Sequence, residues 1–391
     1  MQQYKKEWFG NIRGDILAGI VVCLALFPEV VGFMIVAGVE PIVGIYATFF
    51  ITAAAAFFGA RTGLISAAAG SVALVLANMV AEHGVNYLFA ATILAGVIQV
   101  VLGAVKVGKV MHYIPQPVML GFVNGLGIMM FLSQVDHFKG NPLLLVLGAL
   151  GIAIIFLMPK VTKKIPAPII SIIVITMIVL GLDLNVQMLG DLGKISSDLP
   201  SFSIPKVPMN VETLRIIFPT ALSVAIVGLL ESLLTAQLVD ESTNTPSNKN
   251  QESISQGIGN MLSGFFGGIA GCGMIGQTVI NISYGGIGRL ATFLSGFFML
   301  TSVVLLNGIV VQIPIIALAA VMVVVSYETI DWGSVRQLTS VPKRDSVVML
   351  LTVAIVVFTH NLAYGVVAGT LVSMALTNIQ TISIYGKENI N

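Results

Sequence analysis

The feature that most limits this chain is a succession of apolar runs. Many reach roughly 18 residues with almost no charge, the length a helix needs to cross about 30 Å of hydrocarbon. Only 9% of the 391 residues are charged, against 56% hydrophobic. A water-soluble domain carries about 25% charged residues to cover its surface. An all-α polytopic membrane protein satisfies both facts, because a helix satisfies its own backbone inside lipid. The lipid bilayer is therefore the first implied partner. A formal net charge of +1 offers no basic face for a polyanion, so nucleic acid is excluded as a partner. Cys23 and Cys272 lie in apolar surroundings, with neither the spacing nor the context of a disulfide or metal site. The stretch Met1 to Phe9 is polar and aromatic, without a signal peptide's apolar core and cleavage site, so the first span is expected to remain.

Between the punctuating residues the chain divides into fourteen segments. They run about 15–38, 41–58, 69–82, 87–104, 112–133, 142–158 and 166–182, then 212–236, 252–268, 274–284, 289–307, 313–330, 345–360 and 362–380. The third and tenth are too short to cross alone. With the N-terminus inside, all but four of the nineteen Lys and Arg residues (Lys139, Lys194, Lys206 and Arg215) fall on the cytoplasmic side. That is the bias the positive-inside rule requires, and dropping either short segment spoils it. Both termini are thus expected in the cytoplasm. The longest polar connection divides the chain into residues 1–182 and 212–391, with 183–211 as an extracellular linker. Seven segments followed by seven must enter with opposite orientation, the mark of an inverted repeat.

The two halves match in detail. Glu29 and Gly70 in the first half answer to Glu231 and Gly273 in the second, and Phe57-Phe58-Gly59-Ala60 answers to Phe265-Phe266-Gly267-Gly268. Both short segments read as discontinuous helices led in by extended backbone, over 63–69 and 269–272. A helix that starts inside the membrane leaves its opening amides without intrahelical acceptors and carries about half a positive charge at that end. Two such ends meeting near the midplane suit a small anion. The expected donors are the backbone at Ala69, Gly70 and Ser71 and at Gly273, Met274 and Ile275. One glycine-rich stretch alone reads equally as a close helix crossing; the symmetric pair favours the pocket.

Few ionisable residues lie at membrane depth, where a carboxylate marks a pathway, a proton site or a cation partner. Glu231 has Thr235 one turn on, so the carboxylate and hydroxyl share a face. With carbonyls freed near Gly271–Gly273, these are hard oxygen ligands for Na⁺; the same desolvated carboxylate could carry H⁺ instead. A protonated glutamate bonded to a neighbouring helix is the purely structural alternative. Glu29 follows Pro28, which kinks the first span; together with Phe33 it could line the same pocket or serve a kink-associated contact. Glu328 and Asp331 read as a solvated cytoplasmic end or an intracellular ion pair. Asp240 to Gln251 reads as a polar loop. His83, His112, His137 and His360 have neither metal-ligand nor triad spacing and receive no role.

At these residues the chain resembles a bacterial member of the SulP family, the sulfate permease or solute carrier 26 family. The matching stretches are Asn11-Ile12-Arg13-Gly14-Asp15, Phe27-Pro28-Glu29, Glu231-Ser232-Leu233-Leu234-Thr235 and Asn260-Met261-Leu262-Ser263-Gly264. Met274-Ile275-Gly276-Gln277-Thr278-Val279-Ile280-Asn281 and the Ile330-Asp331-Trp332 edge complete them. The resemblance implies core and gate domains, elevator-type alternating access, a homodimer, and multi-pass residence in the bacterial inner (plasma) membrane. It implies transport of a small inorganic anion, sulfate or bicarbonate, by symport with H⁺ or Na⁺. Similar cyanobacterial symporters hold Na⁺ at positions matching Glu231 and Thr235 and their anion at positions matching Ala69 and Met274. Na⁺ is then a co-transported ion, and no cofactor is expected. Three departures stand out. Gln277 replaces an arginine of many animal members, and Cys272-Gly273-Met274-Ile275 lacks a hydroxyl that serves Na⁺ elsewhere. No STAS domain, the cytoplasmic extension of most members, is expected within these residues. A passive anion channel and a nucleobase–cation symporter of the same fold are the alternatives; an enzyme is not expected, because no nucleophile–base or metal constellation is present.

Overall fold

The computed structural model describes residues 2–106, 115–162, 166–192, 199–359 and 361–388. Lys194, His112 and His360 lie outside the described residues. Helices account for all fourteen expected segments. The first half holds α1 (Gln2–Phe9), α2 (Ile12–Ala37), α3 (Pro41–Phe58), strand β1 (Ser66–Ala68), α4 (Gly70–His83), α5 (Val85–Ala104), α6 (Gln116–Gln134), α7 (Pro142–Val161) and α8 (Ala167–Gly181). The second holds α9 (Val211–Thr243), α10 (Lys249–Phe265), strand β2 (Gly271–Gly273), α11 (Ile275–Ser283), α12 (Arg289–Val310), α13 (Ile315–Thr329), α14 (Trp332–Arg336), α15 (Lys343–Thr359) and α16 (Leu362–Glu388).

Local chemistry fixes the boundaries. Gly38 ends α2 in the left-handed region at φ +70, closing bonds to the last carbonyls, and Pro41 opens α3 where no amide is needed. Asn210 caps α9 by accepting from the Thr213 amide. The expected loop from Asp240 to Gln251 is shorter than its polarity suggested. Helix α9 runs on to Thr243 and α10 begins at Lys249, because Asp240 gains Lys249 at 2.6 Å and Arg61 at 3.3 Å as partners.

Packing separates two groups of helices. Helices α2, α3, α4, α5, α9, α10, α11 and α12 surround the strands, while α6, α7, α8, α13, α15 and α16 pack mainly on one another. Glycine sets the closest crossings. A Cβ on Gly96 of α5 would stand 2.6 Å from Gly257 O of α10, and one on Gly257 would stand 2.5 Å from Gly96 O. At this crossing glycine serves the tight packing that the sequence also allowed.

The two lead-in segments are not merely extended: they pair. β1 and β2 form an antiparallel ladder with Ser66 opposite Gly273, Ala67 opposite Cys272 and Ala68 opposite Gly271. Polar side chains staple the ladder in place. Asn260 accepts from Gly271 N at 2.8 Å and donates to Gln99 Oε1 at 2.8 Å, and Gln256 donates to Gly271 O at 3.0 Å. Farther along, Asn281 donates to Gly63 O, while Asp15 accepts from the amides of Ile287 and Gly288. The buried groups among these would each cost about 1–3 kcal/mol if left unpaired away from water.

Candidate functional site

Helices α4 and α11 each begin two residues beyond their strand's end, α4 at the buried Gly70 and α11 at Ile275, which is exposed. A cavity of about 290 Å³ opens beside these starts. From the first helix group it is lined by Glu29, Phe33, Gly70, Ser71, Glu231, Leu234 and residues Met274 to Gln277. From the second come Phe122, Val123, Leu126 and Met130 of α6 and Val325, Glu328 and Thr329 of α13. The cavity thus lies on the seam between the two groups.

Of the expected anion-site residues, Phe33, Gly70, Ser71, Met274 and Ile275 line the cavity, while Ala69 and Gly273 lie buried behind it. Two expected donors are already engaged. The Gly273 amide donates to Ser232 Oγ at 2.8 Å and the Met274 amide to Ile65 O at 2.8 Å, because β2 must satisfy its backbone within the protein. The helix residues that line the cavity are Ile275 to Gln277 at the second helix and Gly70 and Ser71 at the first. Gly70 is constrained by shape as well, since a Cβ there would stand 2.6 Å from the Phe33 ring.

Glu231 sits where the two lead-ins meet. Its Oε2 accepts from Ser71 Oγ at 2.5 Å and from Cys272 Sγ at 3.1 Å. Thr235 does not bond the carboxylate: its hydroxyl donates to Glu231 O at 2.7 Å and reaches Gly273 O at 3.3 Å. The Thr235 hydroxyl nevertheless stands one turn of α9 from Glu231 and 3.3 Å from the Gly273 carbonyl of β2. Glu29 accepts from Gln277 Nε2 at 2.6 Å, so each glutamate is held by the half-helix of the opposite half. Glu328 is exposed and lines the cavity, whereas Asp331 caps α14 through the Ser334 amide, a role its sequence context did not suggest. No Lys, Arg or His is among the lining residues.

The sequence reading missed Phe122, Leu126 and Met130. Their spacing of four marks one helix face, but an apolar stripe on a membrane helix points equally to lipid. Gln277 was singled out only as a replaced arginine; its bond to Glu29 spans 248 residues and had no local signal.

The sulfate permease family model matches residues 12–143 and 138–352. YbaR of Bacillus subtilis, provisionally named a sulfate transporter, is 52% identical over 370 residues, which cover 94% of this chain and 77% of that one. BicA of a Picosynechococcus strain, named a bicarbonate transporter, is 30% identical over 410 residues, covering 96% and 72%. The solved transmembrane domain of a cyanobacterial BicA superposes with a TM-score of 0.83 at 26% identity, covering 91% of this chain and 97% of that one. The overall structure of SLC26A9 gives 0.84 at 19% identity over 95% of this chain and 66% of that one, a likeness of fold.

Proposed function

The chain belongs to the sulfate permease family of membrane transporters, and we propose that it is a secondary active carrier of a small inorganic anion, sulfate or bicarbonate, driven by H⁺ or Na⁺. The observation that carries this reading is the cavity itself. Two helix starts open on it, three carboxylates line it, and no basic side chain does. The helix starts attract an anion through amides and dipole. The carboxylates repel it: at an effective dielectric of 20, two like charges 4 Å apart cost about 4 kcal/mol. An anion and a cation taken together relieve that conflict, which favours symport over a passive pore.

In this mechanism the anion is held by the first-turn amides of α4 and α11, with Phe33 closing one side. Glu231, Thr235 Oγ1 and Gly273 O receive the cation. Glu29, tied to Gln277, stands at the approach. The group of helices around the ladder moves as the core against the gate formed by the second group, carrying both ligands past the seam. Residues 1–182 and 212–391 act as the two inverted repeats on either side of the 183–211 linker. The protein works as a homodimer in the bacterial plasma membrane with both termini in the cytoplasm. The test is uptake of radiolabelled anions by purified protein in liposomes under imposed Na⁺ and pH gradients. Wild type accumulates sulfate or bicarbonate against its gradient, and Glu231→Gln does not. Undiminished coupled uptake by that variant refutes the assignment.

A further inference from the structure

We propose that Ser71 is the residue through which anion and cation sense one another, its single hydroxyl proton passing between Glu231 and the bound anion. The inference rests on the symport reading above. Ser71 is the second residue of α4, so its amide belongs to the helix start that faces the cavity, while its hydroxyl points to Glu231 Oε2 at 2.5 Å. A serine hydroxyl donates one hydrogen bond at a time. An anion arriving at the α4 amides competes with Oε2 for that one proton.

The other donor to Oε2 is Cys272 Sγ, at 3.1 Å, and a thiol is a weak donor. With the anion absent, Ser71 satisfies the carboxylate and lowers its attraction for a cation. With the anion bound, the hydroxyl turns to the anion, Oε2 keeps only the thiol, and the carboxylate draws the cation more strongly. Binding energies are reciprocal, so the cation must tighten anion binding by the same factor. Ser71 is therefore a positioning residue for Glu231 as well as a member of the anion site. No other side chain lining the cavity bonds Glu231 among the described residues.

The experiment measures the half-saturating concentration of radiolabelled sulfate, and separately of bicarbonate, for the full chain in liposomes. Each is taken with and without Na⁺ at fixed pH, and at two pH values without Na⁺. Wild type is expected to tighten by about 5- to 150-fold in one cation arm, the usual size of a coupling between sites. Ser71→Thr keeps that ratio, Ser71→Cys lies between, and Ser71→Ala falls below roughly twofold, whatever its absolute rate. A misfolded Ser71→Ala leaves the decision to Ser71→Cys, whose weaker donor must lower the ratio. Ser71→Ala or Ser71→Cys with the wild-type ratio overturns the inference and leaves the symport reading standing. Equal loss in Ser71→Thr also overturns it, because packing rather than the hydroxyl would then be responsible. A wild type with no cation dependence in either arm overturns the symport reading, and the inference with it.

Discussion

The two half-helices are built on one plan and finished differently. Helix α4 is 14 residues long and α11 is 9, and each follows a three-residue strand of the same ladder. Each reaches across to a glutamate from the other half of the chain. On the α4 side the link is short: the Ser71 hydroxyl meets one oxygen of Glu231, which the buried Cys272 thiol of β2 also reaches from Glu231's own half. On the α11 side a long glutamine side chain makes the bond to Glu29. The strands differ as well. β2 itself is stapled by Asn260, Gln256 and Ser232, whereas the side chains that hold the first lead-in, Thr278, Thr292 and Asn281, bond Ile65, Leu64 and Gly63 just before β1, and among the described residues β1 itself meets Thr48 Oγ1 at 3.5 Å from the Ala68 amide. Symmetry of chain path thus coexists with asymmetry of chemistry, and it is to the short, enclosed link that the proposed symport assigns the cation.

Neutralising one glutamate at a time should break the comparison if it is mistaken. Glu231→Gln is expected to reduce gradient-driven uptake to background. Glu29→Gln is expected to slow it by less than about tenfold, a change below about 1.4 kcal/mol. Parallel uptake assays in liposomes compare them; equal losses would make the two carboxylates equivalent. The staples give the next largest difference. Asn260→Ala leaves the buried Gly271 amide without its acceptor, at a cost of about 1–3 kcal/mol. Thr48→Ala removes mainly a bond to its own helix at Gly44 O, and should cost under about 1 kcal/mol. Thermal unfolding of the purified protein should rank them in that order.

Shape sharpens the contrast further. Gly70→Ala drives a methyl into Phe33 and should cost about 1–3 kcal/mol while weakening the anion's half-saturation, with partial recovery on adding Phe33→Ala. Gly276→Ala, at the second residue of α11, meets nothing within 4 Å and should stay within about 0.5 kcal/mol of wild type. Binding titrations that find the two alanines alike would remove the steric half of the argument.

The helical segments were legible because a membrane leaves a chain few choices: run length and apolarity nearly determine them. The two breaks were legible in the paired glycines, but their register was not: Gly70 opens α4, whereas Gly273 closes β2 and α11 begins two residues later at Ile275. The ladder was not. Ser66-Ala67-Ala68 and Gly271-Cys272-Gly273 carry no β-forming residue type, and what makes them strands is the unpaired backbone of each meeting the other. For the same reason the amides of Gly273 and Met274 looked free: the Ser232 hydroxyl and Ile65 carbonyl that engage them are contacts of the folded state alone. Thr235 was placed on the face of Glu231 correctly by helical spacing. Its hydroxyl turned to carbonyls because a buried threonine in a helix finds the carbonyl four residues back nearest at hand.

The ladder has a mechanical meaning. Its rungs join residues roughly two hundred positions apart, in a setting where no water waits to replace a broken bond. The two helix starts beyond it cannot part like jaws to admit or release a solute. On the carrier reading proposed above, cargo seated between them would travel with a single stiff crosspiece, the doorway on either side being made by the walls that slide past.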